Sequence, residues 1–461
     1  MSCADHTRLQ AAVARAGRGL PAVEPGMPLP AGTGLTRRSL LLRSLGLGLA
    51  VYGAGSGLAA EAVEAAVAQA AGPHRVLVSV FMDGGADALS LLAPVGDPRY
   101  ATLRPTLQVT EADGLPFEAD PRLRWHPAAS GLKALWDDPG VGVAVAPAIG
   151  YTSPNQSHFT SRHFWEVGAL DPTGRTGWLG RYLDRVGDPN VPIQGLSLSG
   201  SLSPVLATGR VAVAAADNLG AYRFSTPGVW GQTQTRMRAT LASLAQRDAE
   251  DPTLAYALQI GRNAARLTTD LGAAASAPAT PADAGYPTTS SALRTRLQAL
   301  AKLLHVQVDG APLPVRAVTV RAQGGYDTHS GQATAFASGV RATADNLRAF
   351  WRDLVLRGLD DRVVILLWSE FGRRPYENGS QGTDHGAAGA AFVIGRAVRQ
   401  GLVGEFPGLA PGSGIDAAGN LRSTADFRGL YCALLEQWLQ TEWQGIVPDP
   451  GPLGIPQVFS A

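Results

Sequence analysis

The feature that most restricts the fold of this chain is a series of short, nearly continuous apolar segments rich in β-branched residues. They lie at 75–82, 141–148, 210–216, 315–322, 362–368 and 390–395. Segments without polar alternation are typical of strands that are covered on both faces. Helical patterns such as "SHFTSRHFWEVGAL" and "SALRTRLQALAKLLHV" separate them. The alternation predicts an α/β fold of three layers, with a largely parallel central sheet and helices on both faces.

The first part of the chain is predicted to be an export signal and not part of this fold. Arg37 and Arg38 precede an apolar, glycine-rich stretch, and 68–70 reads Ala-Gln-Ala, the A-x-A pattern of a cleavage site. Twin arginines before a modest apolar core are typical of the Tat pathway. A membrane anchor or an amphipathic helix is the alternative, but the stretch is short and rich in Gly and Ala for a spanning helix. We expect residues 1–70 to engage the Tat translocase, and the mature protein to be periplasmic or secreted without a stable membrane span.

Residues 71–461 are expected to form a single domain. The small, Pro-rich segment 272–292 lies between two helical patterns and is predicted to be a surface loop or hinge. With 39 basic and 38 acidic residues, the net charge gives no indication of a nucleic-acid partner. Of the two cysteines, Cys3 lies in the leader and Cys432 in an amphipathic helical pattern. This predicts a packed thiol at Cys432 and no internal disulfide in the mature chain.

Six side chains that suit a metal ion lie beside the ends of the predicted strands. They are Asp83, Asp327, His329, Glu370, Asp384 and His385. Functional sites of open parallel sheets collect at the carboxyl ends of the strands, so we expect these residues to share one edge. Imidazole with carboxylate suits Zn, Mn or Fe, and paired divalent ions can clamp both oxygens of an in-line displacement. The sequence therefore predicts bound divalent metal ions, two of them if the ions are paired, with Zn, Mn, Ca and Fe all open.

A hydroxyl group also follows one of these strands. Ser157 and His158 stand at a predicted helix start, where a serine can be either a helix cap or a nucleophile. The metal candidates have structural interpretations as well. Asp83 before two glycines is a common turn former, and Glu370 could pair with the arginines that follow it. Other catalytic patterns are missing, since the sequence contains no G-x-S-x-G, no G-x-x-x-x-G-K-[ST] and no H-E-x-x-H.

Longer motifs extend over nearly the whole mature chain, from about Val76 to Trp438. They are "VFMDGGADALSLLAPVGDPRYATLRPTL", "SHFTSRHFWEVG", "GWLGRYLD", "GYDTHSGQ", "SEFGRRPYENGSQGTDHGAAGAAFVIG" and "STADFRGLY". In these motifs the sequence resembles the domain of unknown function 1501 family. Proteins of that family carry Tat signals and are grouped with the alkaline phosphatase and sulfatase superfamily.

The resemblance implies a parallel central sheet and a two-metal site. By position, Asp83 looks like the first-strand aspartate that binds one metal beside the nucleophile. Asp327 and His329 look like the Asp/His pair of the other metal. Glu370 falls where the superfamily has an aspartate, and His385 resembles its late histidine ligand. The chain departs from the superfamily in its tighter Asp-x-His spacing and in the phenylalanine after Glu370, which cannot ligate.

The segment "TSPNQSHF" is similar in outline to the sulfatase C-x-P-x-R motif. Thr152 takes the cysteine position and Gln156 the arginine position. The family pattern has Arg directly before Ser-His-Phe, so Gln156 removes an anion-binding charge from a place that would contact substrate. Ser157 is the first candidate nucleophile and Thr152 the second. His158 is a candidate catalytic residue or anion contact, and Arg373 and Gln156 are candidate substrate-binding residues.

The leading hypothesis is an exported, metal-dependent hydrolase of phosphate or sulfate esters with a small-molecule substrate. A non-catalytic relative that keeps the fold as a binding or cell-envelope protein is the alternative. A third hypothesis is an enzyme that acts through metal-bound water alone. Full activity in Ser157→Ala would favour that third hypothesis.

Overall fold

The structure is a computed structural model that describes residues 51–52, 74–217, 219 and 228–460. Arg37, Arg38, the expected cleavage site at 68–70 and Cys3 lie outside the described residues, so the export signal stays a prediction. Within the described ranges, no helix is both long enough and apolar enough to span a membrane.

Ten of the described strands have two or three residues, and the other five have five residues or more. In chain order they are β1 Val51–Tyr52, β2 Val76–Phe81, β3 Leu92–Ala93, β4 Leu115–Pro116, β5 Arg124–Trp125, β6 Gly142–Gly150, β7 Gly195–Ser197, β8 Val213–Ala215, β9 Gln307–Val308, β10 Ala311–Pro312, β11 Ala317–Arg321, β12 Val363–Trp368, β13 Gly389–Gly395, β14 Gly401–Leu402 and β15 Ala425–Asp426.

The helices are α1 Ala88–Leu91, α2 Tyr100–Leu103, α3 Ser130–Trp136, α4 His158–Val167, α5 Trp178–Val186, α6 Gly231–Ala245, α7 Pro252–Ala275, α8 Ala292–His305, α9 Gln332–Leu356 and α10 Phe427–Ala433. Short 3-10 turns lie at Pro127–Ala129, Pro192–Gln194, Pro204–Leu206 and Ala282–Ala284, and a π-helical turn at Leu434–Trp438. Cys432 is buried in α10, as the sequence predicts.

The described residues fall into two compact units. The first contains Asp171–Pro278 and Lys302–Val318 together with β1, and the second contains Arg75–Leu170, Ala279–Ala301 and Thr319–Ala461. All candidate ligands lie in the second unit. The single domain over 71–461 stays a prediction.

In the first unit, β7 and β8 pair in parallel, with Leu196 opposite Ala214. β1 pairs antiparallel with β8, and β9 forms a hairpin with β10. The longest helix of this unit, α7, starts at the cap residue Asp251, whose carboxylate accepts a hydrogen bond from the amide of Leu254 at 2.8 Å.

The second unit is built on a mixed, largely parallel sheet with helices around it. β2 pairs in parallel with β12 over six residues, from Val76 opposite Val363 to Phe81 opposite Trp368. β14 and β15 run parallel to β6, whereas β13 runs antiparallel to both β12 and β6. Every residue of β2, β6, β12 and β13 is buried. The continuous apolar segments therefore are covered strands, and the predicted α/β fold is confirmed.

The reversed direction of β13 determines which loops meet. Because β13 is antiparallel to its neighbours, the loop that precedes it lies at the same edge as the loops that follow β2, β6 and β12. An isolated antiparallel bridge between Arg373 and His385 holds the loop after β12 against the loop before β13. The amide of Ala322, directly after β11, donates to the carbonyl of Phe81 at 2.9 Å, so the residues after β11 reach this edge too.

Candidate metal centre

Three histidines and an aspartate meet at this edge: His158, His329, His385 and Asp327. The Nε2 atoms of His158, His329 and His385 lie 3.4, 3.0 and 3.3 Å from Oδ1 of Asp327. The Nε2 atoms of His329 and His385 are 2.9 Å apart. His158, Asp327 and His385 each offer a ligand atom within 4.8 Å of the other two. Three donor atoms from three separate loops therefore form a group that could hold a metal ion, and Nε2 of His329 lies next to two of them.

An oxygen atom fixes the other ring nitrogen of each histidine. The Nδ1 contacts are His158 with Oε1 of Glu370 at 2.8 Å, His385 with the backbone carbonyl of Gln156 at 2.8 Å, and His329 with Oδ1 of Asp384 at 3.1 Å. A carbonyl oxygen only accepts, so Nδ1 of His385 carries a proton and its Nε2 presents a lone pair when the ring is neutral. Histidines that bind metals are held in this way by an acceptor behind the ring.

Glu370 is completely buried and is anchored by the turn after β2. Its Oε1 accepts from the amide of Gly84 at 3.0 Å, and its Oε2 accepts from the amide of Gly85 at 3.1 Å and from Oγ of Ser369 at 3.0 Å. Burial alone would raise the pKa of Glu370, but the hydrogen bonds with His158 and the amides lower it. Glu370 is thus an ionised partner of Nδ1 of His158, and its carboxylate lies behind that ring.

Asp327 is held in place by a buried arginine. Nη2 of Arg373 donates to Oδ1 of Asp327 at 2.6 Å, while Nε donates to the carbonyl of Gly85 at 2.8 Å and Nη1 to that of Thr383 at 2.7 Å. Burial would raise the pKa of Asp327, but the three histidines and Arg373 hold it far below its usual range. The sequence suggests Arg373 as an anion contact, and the structure directs its guanidinium to Asp327 and to backbone carbonyls.

The histidines differ in charge. Burial alone would lower the pKa of His158, but hydrogen bonds and charges from Asp327 and Glu370 raise it to about 9. Burial lowers the pKa of His385, and the positive charges of Arg373 and His158 act in the same direction. At neutral pH His158 therefore carries a proton and His385 does not. The proton on His158 offsets the repulsion between the histidine lone pairs and the carboxylate of Asp327, and a divalent cation would offset it in the same way.

The donor set fits a metal ion. Two ligands about 2.1 Å from one ion at a tetrahedral angle lie roughly 3.4 Å apart. The Nε2-to-Oδ1 distances of 3.0 to 3.4 Å are close to this value. Three imidazoles and one carboxylate suit Zn, Mn or Fe, whereas Ca prefers oxygen ligands.

The remaining predicted ligands lie around this point. Asp384 is exposed and accepts from Nδ2 of Asn378 at 3.1 Å besides its contact with His329. Asp83 forms ion pairs with Arg321 and, at 3.9 Å, with Arg162. The sequence suggests His158 as a catalytic residue or anion contact, and its place among the donors went unpredicted. The available signal was its position in the loop after a buried strand, which it shares with the other candidates.

The nucleophile and anion candidates lie in the loop before α4. Ser157 precedes the helix without making a side-chain cap hydrogen bond, and its amide donates to Oδ1 of Asn155 at 2.8 Å. Nε2 of Gln156 donates to Oδ1 of Asn420 at 2.8 Å, while its carbonyl oxygen is the acceptor for His385. Thr152 lines a cavity of about 270 Å³. The contribution of Gln156 to the centre is therefore made by its backbone.

The chain belongs to a family without an assigned activity. The family model described as "Protein of unknown function (DUF1501)" matches residues 119–427. This confirms the resemblance drawn from the sequence motifs. No curated protein matches the sequence.

Solved structures of the alkaline phosphatase and sulfatase superfamily are similar to this chain at low identity. A protein in the alkaline phosphatase superfamily from Vibrio parahaemolyticus is 10% identical, with 83% of this chain and 69% of that chain covered and a TM-score of 0.35. The C-terminal periplasmic domain of EcEptC from Escherichia coli, in a complex with Zn, is 9% identical, with coverages of 85% and 89% and a TM-score of 0.35. The phosphonate monoester hydrolase of Agrobacterium radiobacter is 11% identical, with coverages of 83% and 79% and a TM-score of 0.34. These similarities concern the fold alone.

Proposed function

We propose that this chain is a metal-dependent hydrolase of phosphate or sulfate esters that acts on a small-molecule substrate. The observation that carries the proposal is the convergence of three imidazole Nε2 atoms on Oδ1 of Asp327, with each Nδ1 fixed by an oxygen. Lone pairs and a carboxylate that face one another repel unless a cation lies among them, and a divalent ion can be that cation.

The residues divide into ligands and supports. His158, His329, His385 and Asp327 would hold a divalent ion, which would stabilise negative charge on an ester oxygen. Glu370 orients the ring of His158, and Arg373 fixes the carboxylate of Asp327. The donor chemistry favours Zn, Mn or Fe for this ion.

The nucleophile of the proposed reaction is Ser157. It lies immediately before α4, next to His158, and a hydroxyl at a helix N-terminus benefits from the positive end of the helix dipole. Ser157→Ala is expected to lower turnover by at least about a thousandfold if the hydroxyl attacks the ester. Thr152→Ala is the matched control, since it removes a neighbouring hydroxyl. Unchanged turnover in both variants would assign the attack to water, and a loss in Thr152→Ala alone would assign it to Thr152.

The ester class rests on the sequence resemblance to the alkaline phosphatase and sulfatase superfamily. The test is hydrolysis of aryl phosphate and aryl sulfate esters by purified full-length protein loaded in turn with Zn, Mn, Ca and Fe. We expect turnover that chelator abolishes and that Asp327→Asn lowers by at least about a thousandfold. Metal-loaded protein that turns over neither ester would contradict the hydrolase and leave a binding or cell-envelope role.

We also propose export through the Tat pathway, because Arg37 and Arg38 form the twin-arginine pattern before an apolar stretch. Replacing both with lysine is expected to keep the protein in the cytoplasm, as measured by cell fractionation. Replacement of Arg8 and Arg15, which lie earlier in the leader, is the control. Export that continues without the twin arginines would contradict this part of the proposal.

A further inference from the structure

Asp83 lies at the edge that carries the candidate metal centre, but its carboxylate faces two guanidinium groups. Oδ2 forms an ion pair with Arg321, and Oδ1 lies 3.9 Å from Nη1 of Arg162. The backbone of Asp83 is fixed beside the centre, because its carbonyl accepts from the amide of Tyr326 at 3.0 Å and Asp327 follows. Both oxygens of the carboxylate are thus directed to cationic side chains.

The two arginines come from the same elements as the metal ligands. Arg162 stands four residues after His158 on α4, so the two side chains lie on one face of the helix. Its guanidinium packs over the ring of Phe81, with the central carbon 4.8 Å from the ring centroid, and its Nε donates to Oε1 of Glu166 at 2.8 Å. Arg321 is the last residue of β11, six positions before Asp327. The fold therefore presents both guanidiniums to Asp83, whose backbone is fixed beside the centre.

Both arginines keep donors for another partner. A guanidinium has five N–H donors. Within the described part of the chain, Arg321 makes its ion pair with Asp83, and its side chain is 59% exposed. Arg162 uses Nε for Glu166 and is one-third exposed. Two neighbouring guanidiniums with spare donors match a tetrahedral oxyanion, which accepts paired hydrogen bonds from arginine.

We propose that Arg162 and Arg321 bind the tetrahedral oxyanion of the substrate and take the place of a second metal ion, so that each chain holds one divalent ion. This inference rests on the proposed ester hydrolysis. A second cation on Asp83 would have to displace Arg321 or stand beside two positive charges, which repel it strongly. Asp83 instead orients the two arginines until the oxyanion binds.

The test uses full-length protein loaded with metal, titrated calorimetrically with inorganic phosphate and, separately, with sulfate. Arg321→Met is expected to weaken binding of the preferred anion by at least about tenfold, and Arg162→Met to do the same. Arg396→Met is the matched control, because Arg396 is 65% exposed and pairs with Asp360 at 2.7 Å in the same unit. Its anion affinity should equal that of the unaltered protein. The anion that binds more tightly identifies the ester class.

Metal content measured on the same samples tests the single ion. We expect one divalent ion per chain in the unaltered protein and in Asp83→Asn. Unchanged anion binding in Arg321→Met, or a second ion that Asp83→Asn removes, would overturn the inference while the hydrolase stands. Protein without any bound metal would overturn the proposed function itself, so the two failures are distinct. Because Arg321 is largely exposed, its replacement tests anion binding even if Arg162→Met does not fold.

Discussion

At the scale of single residues, the centre depends on which ring nitrogen of each histidine is engaged. Each Nδ1 atom is hydrogen-bonded to an oxygen of Glu370, Asp384 or the Gln156 backbone, so the Nε2 atoms face Asp327. The arrangement places lone pairs and a negative charge within 3.4 Å of one another. It is stable only with a cation among them, which is a proton on His158 or a metal ion.

Replacing Glu370 with glutamine tests this support. The variant loses the negative charge behind His158, so we expect metal affinity to fall by about 10- to 100-fold. Glu166→Gln is the matched control, because Glu166 is also buried in this unit and its carboxylate contacts Arg162, not a histidine. The measurement is the metal dissociation constant by competition with a chelator. Equal affinities for the two variants would contradict the role given to Glu370.

The raised pKa of His158 makes the stability of the metal-free protein depend on pH. The pKa of His158 rises from 6.5 to about 9 on folding. The protonated ring therefore contributes its full share to the free energy of unfolding below pH 6.5, and this share is lost as pH rises through 9. The shift corresponds to about 3 kcal/mol for this side chain, which is 18% exposed. Denaturant unfolding in chelator should show that loss, and His158→Gln should remove it. A pH profile of stability that His158→Gln leaves unaltered would refute the role given to His158.

Metal affinity should increase as pH rises through 9, because the metal ion must displace the proton from His158.

The sequence predicts part of this chemistry. Asp327, His329 and His385 could be found because they flank buried strands. The roles of Glu370 and Arg373 could not be predicted, because the sequence does not show whether a buried carboxylate or guanidinium contacts a ligand or a backbone group. The carbonyl of Gln156 leaves no sequence signal at all, because every residue has one.

At the scale of elements, tight turns bring the loops to the centre. Gly84 has φ of +119°, which non-glycine residues rarely adopt, and a Cβ there would lie 2.3 Å from the amide nitrogen of Asp327. The close approach lets the amides of Gly84 and Gly85 reach Glu370. The turn after β2 thereby joins the loops after β11 and β12.

Gly84→Ala is expected to destabilise the protein by at least about 2 kcal/mol, since it combines backbone strain with a clash. It should also lower metal content by displacing Asp327. Gly325→Ala is the control, because a Cβ at Gly325 would meet nothing within 4 Å. Thermal unfolding and metal analysis of both variants provide the measurement. Gly84→Ala protein as stable as Gly325→Ala would contradict the packing described for this turn.

The strands could be predicted better than their directions. The apolar segments at 75–82 and 362–368 correspond to β2 and β12, because covered strands are apolar throughout. The segment at 390–395 corresponds to β13, but its reversal has no sequence signature, since a strand buried on both faces is apolar in either direction. β7 went unpredicted because its residues, Gly-Leu-Ser, do not form a continuous apolar segment.

At the scale of the whole molecule, the centre collects residues that are distant in the chain. Its candidate ligands lie at 158, 327, 329 and 385, all within the second unit. Bringing these residues together costs conformational entropy of the chain, which contacts between sequence neighbours do not offset. A metal ion that bound only the folded chain would stabilise it by mass action. The sequence predicts that these residues share one sheet edge, whereas which four converge depends on tertiary packing.

The measurement that tests this account most directly is the metal content of full-length protein, expressed with its export route intact and purified without chelator. We expect one divalent ion per chain by plasma mass spectrometry, lost in His385→Ala and Asp327→Asn. His305→Ala, which removes an exposed histidine outside the centre, should retain the ion. Folded protein without metal, or metal that persists in both ligand variants, would contradict the metal centre and with it the proposed hydrolase.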